Sequence, residues 1–167
     1  MSVSVREAQP ADAAALVELA RAVAAEPEGW LVTDGRWHTV REERRHLRAA
    51  RASPHAAVLV AEEGAGLVGR LSVVRESHPG CSHVADIGVM VAREHRGRGV
   101  GSALLLAAEE WARRVGVHKL ELHVFPYNEA AIALYERRGY RREGYRIRHF
   151  RRGSELVDAI LMAKELG

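Results

Sequence analysis

The segment Arg96-Gly97-Arg98-Gly99-Val100-Gly101 decides how the middle of this chain is interpreted. The apolar run Ile87–Val91 precedes it, and a long helical pattern, Ser102–Ala112, follows it. Glycine allows a ligand to approach the backbone closely and tolerates positive φ angles. The first turn of a helix presents N–H groups without partners and the positive end of its dipole, which together suit a phosphate. Strand, glycine-rich loop and helix therefore predict an anion cradle, to which Arg96 and Arg98 add charge.

Three ligands and one purely structural role compete for this loop. A P-loop requires Lys followed by Ser or Thr after its last glycine, and Ser102-Ala103 stands there instead. A dinucleotide fold requires G-x-G-x-x-G directly after a strand, but Ser102 replaces the third glycine and residues 92–96 intervene. Too little chain follows for a doubly wound sheet. The pyrophosphate of coenzyme A is the third ligand, and a turn that only caps the helix is the structural alternative.

A second motif follows one predicted helix and one predicted strand later, where the chain reads NEAAIALYERRGY from Asn128. The first loop, read as R-x-x-G-x-G, resembles the acyl-CoA loop of the GCN5-related N-acetyltransferases, the GNAT family. The second segment resembles that family's N-x-x-A-x-x-L-Y-x-x-x-G-F/Y signature at Asn128, Ala131, Leu134, Tyr135, Gly139 and Tyr140. Both motifs stand in the family's order. The resemblance covers the C-terminal half at motif level and the N-terminal half only in the order of elements.

Hydrophobic periodicity predicts an α/β (α+β) fold for a single domain over residues 1–167. The strand–helix–strand unit from His83 to Phe125 implies a local parallel pair at the cradle, and the other strands look antiparallel. A mixed, mostly antiparallel sheet with helices on both faces is also what the resemblance implies. The predicted strands are Ser2–Ala8, His55–Glu62, Leu67–Glu76, His83–Val91, Lys119–Phe125 and two closing strands; the predicted helices are Pro10–Ala25, Arg36–Arg51, Arg98–Val115 and Asn128–Arg138; and Trp30–Gly35 is a predicted loop.

Composition limits the classes of protein to which the chain can belong. It has 167 residues, 47% of them hydrophobic and 28% charged, which is typical of a globular protein. We expect no membrane span and no signal peptide, and the lone Cys81 fits a reducing cytoplasm. A net charge of +3 gives no argument for nucleic acid as a partner. The basic stretch Arg141–Arg152 is interpreted as a strand with one solvated face, with contact to RNA, to an acidic acceptor or to a ribose phosphate as alternatives.

The resemblance implies transfer of an acetyl group from acetyl-CoA to an amine that attacks directly in a ternary complex. Family members bind pantetheine along the strand before the loop and polarise the thioester carbonyl with a backbone N–H, here near Val89. Tyr135 is then the general acid toward the leaving thiolate, or a residue that only packs the helix. Asn128 contacts the cofactor or caps a helix. The residues expected to bind acetyl-CoA are Ile87, Val89, Val91, Arg96, Gly97, Arg98, Gly99, Val100, Gly101, Asn128 and Tyr135.

An alkylamine must lose a proton before it can attack, so a base is needed. Glu121 is the first candidate because it points from a core strand toward the expected cleft, and Asp86 on the preceding strand is the second. His123 shares the face of Glu121. A structural role is the alternative for each of them. Further candidates for the cleft are Glu76, His78, His83 and Tyr145, and no cluster has the spacing of metal ligands, so no metal is expected.

The sequence leaves the acceptor open. A small primary amine, an amino acid or a related compound, is the first expectation; a peptide or protein N-terminus, a lysine, or a domain that binds acyl-CoA without turnover are the alternatives. Specificity is expected from about Trp30–Arg51 and Arg141–Leu156, with Trp30, Trp37 and Tyr145 as walls of a pocket or as core residues. The oligomeric state is also open, and a homodimer is retained beside a monomer.

Overall fold

A computed structural model describes residues 2–31 and 37–167 of the chain. Its centre is a seven-stranded sheet in the order β1-β2-β3-β4-β5-β7-β6. The strands are β1 (Ser4–Glu7), β2 (Ala56–Glu63), β3 (Gly66–Arg75), β4 (Val84–Val91), β5 (Lys119–Val124), β6 (Arg141–Arg152) and β7 (Glu155–Glu165). The helices are α1 (Ala13–Ala24), α2 (Val40–Ala52), α3 (Val100–Arg114) and α4 (Glu129–Arg137), with short 3₁₀ turns at Pro10–Asp12, Pro79–Cys81 and Arg93–His95.

All neighbouring strands are antiparallel except β4 and β5, which run parallel. Helix α3 makes the crossover between these two strands, as a parallel connection requires. The predicted α+β fold, a mostly antiparallel mixed sheet with one parallel pair, is therefore confirmed. The parallel pairing is short, because it runs only from Val84 opposite Lys119 to Asp86 opposite Glu121. Beyond that step β5 keeps its pairing with β7 but leaves β4.

The helices cover both faces of the sheet, as predicted. On one face α3 and α4 pack on a core that includes Leu71, Ile87 and Leu122. On the other face α1 and α2 bury a second core with Val58, Val60 and Met90. Because side chains of a strand alternate between faces, Ile87 and Met90 fall into different cores. The buried stripe of α3 consists of residues at helical spacing, Leu104, Leu105, Ala108, Trp111 and Ala112.

Helix α2 begins at Val40, later than the predicted start at Arg36. The reason is a capping box at Thr39. Its hydroxyl accepts a hydrogen bond from the Glu42 N–H at 3.2 Å, and the Glu42 carboxylate accepts one from the Thr39 N–H at 2.8 Å. The cap fixes the first helical residue one position after Thr39. Residues 32–35 of the predicted loop Trp30–Gly35 lie outside the described residues. Arg36, the predicted start of the helix, also lies outside them.

The exposed hairpin β6–β7 closes the sheet. Arg141–Arg152 is a strand, as interpreted, but consecutive residues from Arg141 to His149 are exposed, so solvent reaches both of its faces and not only one. Within residues 2–31 and 37–167, no helix combines the length and the apolar composition that crossing a bilayer would take.

Candidate active site

The glycine-rich loop forms a row of free backbone donors between β4 and α3. Gly97 has a φ of 71° and Gly99, the N-cap of α3, a φ of 88°, a left-handed conformation that side chains other than glycine rarely adopt. Ala103 is the first residue whose N–H is paired, with the Gly99 carbonyl at 3.0 Å. Within the described residues, the N–H groups from Gly97 to Ser102 donate no hydrogen bond. This row at the positive end of a helix dipole fits a diphosphate.

Gly101 has a different reason to be glycine. A Cβ atom at this position would lie 2.6 Å from Leu134 Cδ2, whereas one at Gly97 or Gly99 would meet nothing within 4 Å. Gly101 therefore allows α3 to pack closely on α4, while the space above Gly97 and Gly99 is open to a ligand. A larger residue at position 101 would disturb the packing of the helices before it disturbed a bound phosphate.

Both arginines of the loop are already paired. The Arg96 guanidinium donates two hydrogen bonds to the Glu26 carboxylate, both at 2.7 Å, and its Nε donates to the Val91 carbonyl at 3.0 Å. The Arg96 guanidinium is also the main cause that lowers the pKa of Glu26. Arg98 lies 3.0 Å from Glu63. Arg96 thus ties the cradle to the end of α1, and its charge is compensated before any anion binds.

The separation of β4 from β5 leaves backbone groups free beside the cradle. The Ala92 N–H donates to the Val68 carbonyl at 2.8 Å, and the Val84 carbonyl accepts from Glu76 on the same side. Because hydrogen-bonding direction alternates along a strand, even-numbered residues of β4 bond to β3. The backbone groups of Ile87, Val89 and Val91 therefore point toward the opening.

A cavity of about 250 Å³ passes through this opening and connects the two faces of the sheet. Tyr135 of α4 lines it and is 7% exposed. Burial raises the pKa of the Tyr135 hydroxyl to about 12, so it is fully protonated at neutral pH. The residues lining the cavity are Trp30, Leu31, Trp37, Arg70, Ser72, Ile87, Gly88, Val89, Met90, His123, Val124, Phe125, Asn128, Tyr135 and Phe150.

Asn128 has both of the features that the sequence left as alternatives. Its side-chain oxygen accepts a hydrogen bond from the Ala131 N–H at 3.2 Å, which caps α4. The same residue lines the cavity. The cap orients α4, and α4 in turn holds Tyr135 at the opening.

A wider, solvent-open groove continues from the cavity along β4 and β5. Asp86 and Glu121 lie opposite each other at the last paired step before the strands separate, and both line the groove with Glu76. Burial, and then the charges of Glu121 and Glu76, raise the pKa of Asp86 to about 6. Two cations, Arg75 and Arg146, line the same groove. Asp86 thus titrates close to neutrality, as a base must.

His123 joins the groove to the cavity, because it lines both. Its Nδ1 lies 3.8 Å from Asp86 Oδ1, and its Nε2 is buried without a hydrogen bond to the described residues. Burial and the charges of Arg146 and His149 lower the pKa of His123. His123 therefore lies between the cavity and Asp86 as a side chain whose neutral form is favoured.

Most of the residues predicted from the sequence thus lie around the cavity and the groove, and the candidates Tyr145 and His78 do not. Trp30 and Trp37 are walls of the cavity, as one alternative had it. Tyr145 is 56% exposed and lines neither the cavity nor the groove. Its hydroxyl donates a hydrogen bond to the Asp158 carboxylate at 2.7 Å. His78 Nδ1 accepts a hydrogen bond from the Gly80 N–H and so caps the 3₁₀ turn Pro79–Cys81.

Arg70 and Ser72 of β3 line the cavity and were not predicted from the sequence. Arg70 had a signal that could have found it, since it is the one charge within the apolar run Leu67–Val74. A charge in a buried strand needs a partner or a function. Phe150 lies in the segment Arg141–Leu156, from which specificity was expected, but it was not singled out there.

Comparison with known proteins links these features to characterised relatives. The family model described as the acetyltransferase (GNAT) family matches residues 18–140. An L-amino acid N-acetyltransferase of Escherichia coli, AaaT, is 37% identical over 110 residues, which are 64% of this chain and 66% of that protein. The chain thus matches just under two thirds of the length of that relative.

Two further comparisons extend over more of the chain. The N-alpha-acetyltransferase RimI of Mycobacterium tuberculosis is 37% identical over 118 residues, 70% of each chain. A crystal structure of an acetyltransferase of the GNAT family from Streptococcus pneumoniae superposes with a TM-score of 0.89, covering 99% of this chain and 100% of that one at 29% identity. The similarity in fold therefore includes the N-terminal half, where the sequence offered no motif.

Proposed function

The chain belongs to the acetyltransferase (GNAT) family, and from this premise we propose that it transfers an acetyl group from acetyl-CoA to the primary amine of a small molecule, an amino acid or a related amine. The observation that carries the proposal is the row of unpaired N–H groups from Gly97 to Ser102 beside the gap between β4 and β5. A diphosphate on the row places an attached pantetheine chain along β4 at Val89, which lies beyond the last residue of β4 that pairs with β5. The thioester then reaches the cavity that Tyr135 lines.

The chemistry requires no covalent intermediate with the protein. The amine nitrogen attacks the thioester carbonyl carbon, the new C–N bond forms, and the C–S bond breaks. The backbone N–H of Val89 stabilises the oxyanion, and the Tyr135 hydroxyl protonates the leaving thiolate. Asp86 or Glu121 receives the proton of the amine, directly or through His123. Holding both substrates in one cavity supplies much of the rate.

A screen for thiol release tests the proposal. Acetyl-CoA is offered with amino acids, polyamines, aminoglycosides and peptides, and we expect release with the small amines. Initial-rate lines at several fixed amine concentrations should intersect, because attack takes place in a ternary complex. Parallel lines, or acetylated protein isolated without acceptor, would indicate a covalent intermediate. Cys81 would then be the residue to examine, although it is exposed and lines neither the cavity nor the groove.

A carboxylate placed in the cradle should block acetyl-CoA without harming the fold. Ser102 lies in the first turn of α3, where a negative side chain favours the helix dipole but repels a diphosphate. We expect Ser102→Glu to weaken acetyl-CoA binding at least about tenfold by calorimetry while the melting temperature of the free protein stays level or rises. Ser102→Gln, of the same size and without the charge, is the control. Equal affinity in all three proteins would contradict the cradle.

The second candidate function is acetylation of a peptide N-terminus, and the groove favours it. The groove is open to solvent from the cavity mouth outward along β4 and β5, so a chain could extend from the reacting amine. Thiol release with peptides but not with free amino acids would favour this function. Binding of acetyl-CoA without release for any amine would favour a regulatory domain. The cytoplasmic location and the homodimer stay predictions.

A further inference from the structure

Arg70 is a cation that lines the cavity and makes no hydrogen bond to the described residues. It is 6% exposed. Its nearest anion is the fully buried Glu43 of α2, with Arg70 Nη2 at 3.1 Å from Glu43 Oε1. Glu43 is shared, because His38 Nδ1 lies 2.7 Å from its other oxygen. Burial lowers the pKa of Arg70 more than Glu43 raises it, so the cation is incompletely compensated.

Trp37 offers a second free donor at the same place. Its indole ring lies 5.6 Å from the Arg70 guanidinium carbon, and both residues line the cavity. The Trp37 Nε1 and Arg70 Nε atoms are buried and have no hydrogen-bond partner among the described residues. Both groups can only donate. A buried donor without an acceptor is unfavourable, so a molecule that brings acceptor oxygens here is favoured.

The opposite end of the same space is acidic. Asp86 and Glu121 lie in the groove that meets the cavity at His123. Of the two cations in the groove, Arg75 is turned toward the carbonyl oxygens of Ser82 and Val115, and Arg146 lies in the exposed strand β6. The combined space of the cavity and the groove therefore presents hydrogen-bond donors at one end and carboxylates at the other.

We propose that Arg70 and Trp37 bind the carboxylate of an amino acid acceptor, whose amino group then lies toward the gap between β4 and β5 and the thioester. A planar carboxylate matches the fork of a guanidinium. Arg70 and Ser72 lie on the same face of β3, opposite Met90 and Gly88. Arg70 thus pairs with the residue next to Val89, the position on β4 beside which the thioester would lie. This inference rests on the proposed function and names its acceptor class.

The first test uses the unmodified protein and matched acceptors. Each amino acid is compared with its carboxamide, which keeps the side chain, removes the negative charge and lowers the pKa of the amine, so kcat/KM is expressed per concentration of free amine. We expect kcat/KM for the free acids to exceed that for the amides by at least about tenfold, as loss of a charged hydrogen bond implies. Equal values for acid and amide would overturn the proposal.

Two variants then assign the effect to the donors. Arg70→Gln should raise the KM of the acids at least about tenfold and leave the KM of the amides within about twofold, so that the preference disappears. Trp37→Phe keeps the ring beside Arg70, removes the N–H and should act in the same direction more weakly. Arg48→Gln, which removes an exposed charge from α2, is the control. An equal loss for acids and amides would mark Arg70 as purely structural and overturn the proposal.

Failure of this inference is separable from failure of the proposed function. If no amine gives thiol release, the proposed transfer is wrong, and the anchor is judged by binding alone. Calorimetry with an N-acetylated amino acid and its amide, on protein saturated with coenzyme A, should then show the acid binding at least about tenfold more tightly. The same affinity for both would overturn the anchor.

Discussion

Tyr135→Phe is expected to lower kcat about 100-fold or more while the dissociation constant of acetyl-CoA changes less than about twofold. The substitution removes one oxygen and leaves the ring that packs on Tyr140, 5.9 Å away between centroids. Burial holds the pKa of Tyr135 at about 12, so the hydroxyl keeps its proton until a strong base appears beside it. A thiolate in water, with a thiol pKa near 8.5, is a weaker base than this phenolate, but burial raises the pKa of a thiol formed beside Tyr135 as it raises that of Tyr135. Proton transfer therefore accompanies cleavage and does not precede it.

Tyr140→Phe provides the matched control. Tyr140 is 2% exposed, its hydroxyl has no partner among the described residues, and it does not line the cavity. Burial also raises its pKa. Removing this buried, unpaired hydroxyl should leave kcat unchanged and stability level or higher. Steady-state rates and calorimetry on the two variants check the assignment. Equal kcat in Tyr135→Phe and the parent protein would return Tyr135 to a packing role.

The sequence predicted the features of the fold that depend on residues close together in the chain. Glycines between a strand and a helix predicted the loop conformation, and the strand–helix–strand unit predicted the parallel pair. The boundary of α2 depended on the single cap at Thr39, which a polar stretch rich in Arg and Glu does not reveal. Such boundaries are set by one or two hydrogen bonds, so composition places them only to within a few residues.

Contacts between distant segments could not be predicted in the same way. The partner of Arg96 is Glu26, at the end of α1, and no spacing rule connects them. Arg70 and Trp37 meet only because α2 and its preceding segment pack on β3. The pairing between Asp86 and Glu121 could have been predicted from the sequence, because residues at equal distances from the starts of two neighbouring parallel strands lie opposite each other. The raised pKa of Asp86 depends first on its burial in the folded chain.

Asp86→Asn is expected to lower kcat/KM at neutral pH by about 10²-fold or more and to abolish the rise of the rate with pH. In the parent protein that limb should have an apparent pKa near 6, because burial and the charges of Glu121 and Glu76 raise the pKa of Asp86 to about 6. Above this pH the carboxylate is ionised and can accept the proton of the amine. A pH–rate profile of both proteins measures the limb.

Glu121→Gln separates the two candidate bases. If Asp86 is the base, loss of the Glu121 charge removes one cause of its raised pKa, and the limb moves to lower pH but persists. If Glu121 is the base, as the sequence first suggested, Glu121→Gln abolishes the limb and Asp86→Asn only displaces it. Should both variants keep the parent profile, the proton leaves by another route and neither carboxylate is the base.

The pH dependence of the melting temperature tests the role of Asp86 independently of activity. The folded state raises the pKa of Asp86 above its unfolded value of 3.8, so between these values the folded chain binds more protons than the unfolded chain. The stabilisation by the protonated form is present below about pH 4 and is lost as pH rises through about 6. Asp86→Asn should therefore raise the melting temperature at pH 7.5 and change it little at pH 4. A variant that is less active but more stable at neutral pH would show that the ionised carboxylate is retained at the expense of stability, as expected for a catalytic base. A lower melting temperature at pH 7.5 would show instead that Asp86 serves the fold.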